Sequence, residues 1–371
     1  MEESDLVKVN RWLLPLSWLY GLGVAVRNAL FDMGILKSQR YRLPVISVGN
    51  ITSGGTGKTP HVEYILRLLH KKCKVAVLSR GYKRKTKGYQ LARLDTPMQA
   101  IGDEPWQVRQ KFRDIYVAVD KSRAEGIARL CGDEATKDVE AILLDDAYQH
   151  LYVTPGLNIL LVDYHRLITN DELLPAGRLR EPAENKSRAN IVVVTKCPAN
   201  MKPFGYRVIQ KSLDLRPYQD LFFSTMRYGR LKGLFIDSER RLESIRPEES
   251  VFLLTGIALP EQMRQDIEEY SPNVTSLSFP DHHLFTPSDI RRINARFRSL
   301  PEPRIAITTE KDASRLIFTE GLSDELCECL YVLPIEVEFL RGEGGKFNEI
   351  ITSYVLEHTR NGRVAKKPNA K

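Results

Sequence analysis

Residues 48–60 read VGNITSGGTGKTP and stand directly behind the apolar run PVISV. The phosphate-loop pattern is G-x-x-x-x-G-K-[ST], and here Thr52 occupies the place of its first glycine. The physics survives that change. Gly54, Gly55 and Gly57, with Thr56 among them, let the backbone curl until its N–H groups converge on an anion. Lys58 adds a point charge, and Thr59 brings a hydroxyl suited to Mg²⁺ at a helix N-terminus. Behind the loop, PHVEYILRLLHKK carries Val62, Ile65, Leu66 and Leu69 on one helical face. A plain glycine turn is the competing reading, and the strand–loop–helix context disfavours it.

From Pro44 onward, β-branched runs alternate with helical patterns, the mark of a parallel sheet covered by helices. After PVISVG come KVAVLSRG, DIYVAVD, AILLDDA, LNILLVD and NIVVVTK, each apolar enough for a strand buried on both faces. Beyond about Pro217 the pattern changes: LFFSTMRYG and LKGLF read as paired antiparallel strands that link two bodies. Strand–helix units then resume with SVFLLTG before PEQMRQDIEEY, VTSLSFP before TPSDIRRINARF, and PRIAITT before EKDASRL. The expected fold is α/β. It has a P-loop NTPase-like parallel-sheet domain over residues 1–220 and a second, smaller α/β domain over 221–340, joined by a two-stranded linker. A C-terminal helix, GGKFNEIITSYVLEH, and a polar tail complete 341–371.

The chain has 371 residues and a formal charge of +8, but the charge is unevenly spread. The first hundred residues hold 17 Lys and Arg against 6 Asp and Glu, which suits an anionic membrane surface, a phosphorylated ligand or nucleic acid. Nucleic acid is the weakest of the three, because the basic stretch has few stacking aromatics and no recognised module around it. Five cysteines with no CxxC pair read as reduced thiols without a zinc site. Trp12 to Val26, WLLPLSWLYGLGVAV, is fifteen residues without a charge between Arg11 and Arg27. A bilayer span needs about 20. The stretch therefore reads either as an amphipathic segment in the membrane interface, with Trp12, Trp18 and Tyr20 at headgroup depth, or as a helix packed on the protein body.

Other clusters add chemistry to the loop. AILLDDAYQH places Asp145 and Asp146 at the end of an apolar strand, where Walker B acids hold Mg²⁺ directly or through water. VVVTKCP offers Thr195-Lys196, but Pro198 stands where a guanine-reading aspartate belongs, which argues for adenine. GDEP puts Asp103 and Glu104 before a helix, either as a helix cap or as chemistry. FPDHH puts His282 and His283 on a loop of the second domain. A kinase acting on a hydroxyl needs a proton acceptor, which Asp103 and His282 could supply, and cations around the phosphoryl group, which LLPAGRLREP could complement.

In order along the chain, GNITSGGTGKTP, LSRGY, GDEP, DDAYQH, LLPAGRLREP, VVVTKCP, LTGIALPE, FPDHH and TEKD resemble the tetraacyldisaccharide 4'-kinase family, the lipid A 4'-kinases. The resemblance implies an ATP- and Mg²⁺-dependent enzyme that phosphorylates the 4'-hydroxyl of a tetraacylated glucosamine disaccharide 1-phosphate. It implies a site in the cleft between the domains, at the cytoplasmic face of the bacterial inner membrane, in a protein expected to act as a monomer. It further implies that Asp103 is the base, helped by His282. ATP would lie on Gly54, Gly55, Thr56, Gly57, Lys58 and Thr59; metal on Thr59, Asp145, Asp146 and Glu181; and substrate on Gln149 and Arg180. Ala147, Arg178 and Lys83 depart from the residues common in the family, all at loop positions. A substrate with several acyl chains stays in the bilayer, since each buried CH₂ is worth about 0.8 kcal/mol, which favours the interfacial reading of Trp12 to Val26. The basic run Lys83, Arg84, Lys85 and Lys87 then becomes a candidate for the substrate's 1-phosphate or for anionic headgroups. The alternative is a membrane-associated ATPase switch that recruits a protein, but Ser53 stands where such ATPases carry an extra lysine.

Overall fold

The computed structural model describes residues 9–257, 260–280 and 283–364. The apolar runs of the first part form strands β1 (Val45–Gly49), β2 (Val75–Ser79), β3 (Gln90–Leu91), β4 (Tyr116–Val119), β5 (Ala141–Asp145), β6 (Leu157–Asp163), β7 (Ile191–Thr195) and β8 (Asp220–Tyr228). The second part contains β9 (Leu231–Gly233), β10 (Glu239–Arg240), β11 (Ser250–Thr255), β12 (Val274–Ser278), β13 (Arg304–Thr309) and β14 (Leu330–Leu333), and β15 (Ile335–Phe339) follows. By internal contacts the chain divides into two units, Arg227–Glu336 and the remainder. The segment from Val337 on belongs with the first unit and carries the helix Gly344–Val364.

Among the described residues the first sheet runs β15-β8-β7-β6-β1-β5-β2-β4-β3. Strand β1 pairs in parallel with β5 on one side and β6 on the other, so the winding reverses beside it. In open α/β sheets that reversal opens a crevice at the carboxyl ends of the strands, where ligands bind. Alternate strand residues serve opposite faces. Ile46, Val48, Val77 and Ile159 pack with Val62, Ile65, Leu66 and Leu69 of the helix Lys58–Leu69 and with Phe347, Ile351 and Val355 of the last helix. Facing the other way, Val45, Leu78 and Leu144 meet Ile127 and Leu130 of the helix Arg123–Gly132. Leu160, Val162, Val192 and Val194 meet Ile209 and Leu213 of the helix Pro203–Leu213.

The second unit has its own sheet, β10-β9-β14-β13-β11-β12. There, β11 sends Phe252 and Leu254 to a core with Ile290, Ile293 and Phe297, and Val251 and Leu253 to another with Met263 and Ile267. The α/β expectation, a large parallel sheet with a smaller α/β unit, matches this architecture. The pairing expected between LFFSTMRYG and LKGLF is corrected: β8 lies beside β15, whereas β9 pairs with β10 and β14. A three-residue strand has too little pattern to name its partner, and the β14 edge captures it.

Helix Leu14–Asp32 docks on the first unit with only Ser17 buried. Ser17 Oγ donates to Leu173 O at 2.9 Å and accepts from Ala176 N at 2.9 Å. A Cβ on Gly21 would come within 2.7 Å of Leu173 Cδ1, so the glycine permits close approach. Trp12 is 93% exposed and Trp18 71%, and Leu16, Leu19, Leu22 and Val26 are exposed with them. Among the described residues no helix is long and apolar enough to cross a membrane.

Candidate active site

The phosphate loop begins where β1 ends, and close packing shapes both of its ends. A Cβ on Gly49 would lie 2.9 Å from the Tyr148 backbone nitrogen, so DDAYQH can lie against the end of β1. Gly57 has φ 77° and stands at the N-cap of Lys58–Leu69, a conformation glycine adopts without cost. Thr195 Oγ1 donates to Thr56 O at 3.0 Å and so braces the loop from β7. His61 is fully buried under the loop, with Nδ1 2.7 Å from Gly57 O and Nε2 3.0 Å from Ser224 Oγ. Burial pulls its pKa down to about 4, which keeps the ring neutral.

The LLPAGRLREP segment is stitched along the front of the loop. Ser53 N donates to Arg178 O and Arg180 N to Ile51 O, each at 2.7 Å. Tyr20 OH of the first helix donates to Arg180 O at 2.8 Å. Arg27 Nη2 donates to Gln149 O at 2.7 Å, and Gln149 Nε2 in turn donates to Asn50 O. The first helix, the loop, DDAYQH and LREP thus form one hydrogen-bonded framework.

Charge converges on Lys58. Its Nζ lies 3.4 Å from Asp146 Oδ1 and 3.5 Å from Asn50 Oδ1, while Arg180 Nη1 is 3.9 Å from Asp146 Oδ2. Asp146 has φ 50°, a left-handed conformation rare for a residue with a side chain and concentrated at functional sites. Asp145 is buried, and its carboxyl is pushed up to about 7, first by desolvation and then by the charges of Glu104 and Asp146. That influence places Glu104, in the first turn of Asp103–Lys111, in the same field as the strand-end acids. Buried Arg123 donates to the carbonyls of Asp120, Asp145 and Asp146 at 2.8, 3.0 and 3.4 Å, fixing the turn.

Thr56 Oγ1 is buried and makes no hydrogen bond among the described residues, and buried Asp146 Oδ1 makes none beyond its ion pair with Lys58 at 3.4 Å. Such groups are costly unless a ligand completes them. Glu181 is differently placed. Its Oε2 receives Arg188 and Asn185, and Oε1 is 3.8 Å from Arg27, so most of its bonding capacity already serves the protein.

Asp103 is half-buried, and Gly102 rather than Asp103 holds the N-cap position, with φ 94°. A Cβ on Gly102 would lie 2.8 Å from Tyr82 O, so GDEP packs against SRGY. His282 lies outside the described residues. Its neighbour His283 has Nε2 2.9 Å from Asp289 Oδ2 and stacks on Phe279 at 4.8 Å. The sequence reading missed Asn50, His61, Arg123 and Arg27. The first follows the strand directly and is findable from the loop; the other three gain their place through contacts with Ser224, Asp145, Asp146 and Gln149, distant in sequence.

A family profile described as tetraacyldisaccharide-1-P 4'-kinase matches residues 9–355. A tetraacyldisaccharide 4'-kinase from Phocaeicola vulgatus is 54% identical over 361 residues, covering 97% of this chain and 99% of its own length. One from Bacteroides fragilis is 52% identical over 375 residues, covering 100% and 99%. A crystal structure of LpxK from Aquifex aeolicus, described as an apo form in complex with ATP, is similar at a TM-score of 0.72 with 29% identity, covering 93% of this chain and 99% of that one.

Proposed function

The chain belongs to the tetraacyldisaccharide-1-P 4'-kinase family, and from that premise we propose how its residues transfer the terminal phosphoryl group of ATP to the 4'-hydroxyl of a tetraacylated glucosamine disaccharide 1-phosphate. The observation that carries the reading is the Lys58–Asp146 pair at 3.4 Å, beside a curled loop in which the buried Thr56 Oγ1 makes no hydrogen bond among the described residues. The loop amides of Gly54 to Gly57 hold the ATP phosphates, and Lys58 balances their charge. Asp103 accepts the proton of the sugar hydroxyl as its oxygen bonds to the γ-phosphorus, while the bond to the β-phosphate oxygen breaks and ADP leaves. By family resemblance His282 assists Asp103. Gln149 and Arg180 are assigned to substrate, supported by their place in the framework beside the loop.

Thr59, Asp145 and Asp146 are the residues assigned to Mg²⁺, and Asp146 Oδ1, which makes no hydrogen bond beyond its ion pair with Lys58, fits that role. When bound, the ion neutralises charge on the phosphate oxygens. No cluster of three or more His, Cys, Asp or Glu suited to a metal occurs among the described residues. Mg²⁺ is the ion that manages with one or two carboxylates plus phosphate and water. Of the metal set read from the sequence, Glu181 retains only Oε1 for such a contact and acts chiefly by holding Arg188 and Arg27.

The bare apolar face of Leu14–Asp32 supports attachment to a membrane surface, where an acylated substrate resides, and by family resemblance that surface is the cytoplasmic face of the bacterial inner membrane. No observation favours the protein-recruiting switch. Asp103→Ala is expected to keep ATP affinity and lose turnover by about 10² or more, the scale of a general base. Equilibrium binding of an ATP analogue and a phosphoryl-transfer assay measure the two halves. A kcat near that of the parent removes Asp103 from the role.

A further inference from the structure

The eleven-residue helix Pro203–Leu213 buries an apolar face, unlike the first helix, but also leaves apolar side chains exposed on its other side. It turns Ile209 and Leu213 inward, with Tyr206 edge-on to Phe223 at 4.8 Å. Phe204, Arg207, Val208 and Lys211 fall at i, i+3, i+4 and i+7, one stripe along the helix. All four are exposed, Phe204 at 76% and Val208 at 48%. A helix facing only water carries polar residues on its outer side. An aromatic and an aliphatic residue interleaved with two cations match a helix lying in a membrane interface, apolar groups in the acyl boundary and cations at headgroup level. Across residues 202–216 the cations are Lys202, Arg207, Lys211 and Arg216, against Asp214 as the one acid, so the surroundings favour an anionic surface.

Position strengthens the case. Thr169 Oγ1 lies 2.7 Å from Ser212 Oγ of this helix, and a few residues on, Leu173 and Ala176 hydrogen-bond Ser17 of the first helix. A short stretch of chain, 169–176, therefore touches both helices, and each helix leaves apolar side chains uncovered. We propose that Phe204, Arg207, Val208 and Lys211 form a second membrane contact, with the cations on anionic phospholipid headgroups and the apolar pair in the upper acyl region. The proposal rests on the reading of the first helix as an interfacial anchor. It adds orientation: one interfacial helix leaves the protein free to roll about that helix's axis, and a second contact fixes the roll.

The test is co-sedimentation of the full chain with vesicles of phosphatidylcholine, with and without phosphatidylglycerol. Phe204→Ser with Val208→Ser is expected to lower partitioning about tenfold on both vesicle types, from the apolar area lost. Arg207→Ser with Lys211→Ser is expected to lower it about tenfold only where phosphatidylglycerol is present. Phe204→Trp, which keeps an interfacial aromatic, is expected to bind like the parent. Both double variants are expected to retain turnover on acceptor dispersed in detergent micelles, and loss of that turnover overturns the assignment by placing the helix in folding or catalysis. Partitioning of the Phe204/Val208 variant within twofold of the parent also overturns it, and is the result expected if a protein covers the stripe instead. Trp18→Ser with Leu22→Ser separates the premise: if that variant alone loses binding, the anchor stands and the second contact falls; if it binds as the parent does, the anchor reading falls.

Discussion

Two helices of the first unit are built on opposite plans. Lys58–Leu69 buries Val62, Ile65, Leu66 and Leu69, and with them His61 and Glu63. Leu14–Asp32, the more apolar of the two in sequence, buries Ser17 and shows Leu16, Trp18, Leu19 and Leu22 to the outside. Burial here follows the partner and not the hydrophobicity of the segment. The phosphate-loop helix faces a sheet whose strands offer matching apolar residues. The first helix faces the LLPAGRLREP segment, whose backbone offers hydrogen bonds. One helix is held by removal of apolar surface from water, which makes it rigid support for the loop. The other is held by directional polar contacts, which leaves its apolar area available to a different solvent.

The contrast is sharpest in a pair of leucines. Leu66→Ala removes a fully buried side chain and is expected to destabilise the fold by about 2–5 kcal/mol, the range for core leucines. Leu22→Ser, at an exposed position, is expected to stay within about 0.5 kcal/mol. Denaturant unfolding measures both, and equal losses would break the comparison.

Acid bears on the packed helix through His61. His61 titrates near 6.5 in an unfolded chain and is held down to about 4 in the fold by burial. Its folded pKa is depressed, so the stability linked to its neutral form is present above 6.5. That stability is lost as pH falls from there through about 4, by an amount on the order of 3 kcal/mol. His61→Asn is expected to flatten the stability curve across that window. His150, pulled down to about 4 mainly by burial, leaves part of the slope in place. A variant curve parallel to the parent's would show that His61 is not the titrating group.

A small gain in stability is available on the exposed helix. Gly23 has open space where a Cβ would stand, whereas a Cβ on Gly21 meets Leu173. Gly23→Ala is expected to stabilise by about 0.5–1 kcal/mol through helix propensity alone, read as a raised Tm with unchanged turnover. A lower Tm would mean that a contact on that face helps hold the fold.

Much of this was legible beforehand. The run from PVISV through GKTP names a strand, a turn and a helix by local composition, because periodicity and glycine placement are properties of neighbours in the chain. The acids of DDAYQH announce themselves at a strand end for the same reason. Other features have no local mark. Arg123 is an ordinary helix arginine until its guanidinium is found on the carbonyls of Asp145 and Asp146. Glu104 is a helix-start acid until β5 brings Asp145 into its field. Glu181 reads as an open carboxylate in LREP until Arg188 and Asn185 occupy it.

By itself the sequence determined the α/β class, the phosphate loop and the family, since these rest on short-range pattern and on motif order. The tertiary structure decided which apolar faces are covered, which charges share a field and which carboxylate oxygens stay unfilled. Those depend on pairings between segments far apart in the chain, and neither periodicity nor composition carries information about a distant partner.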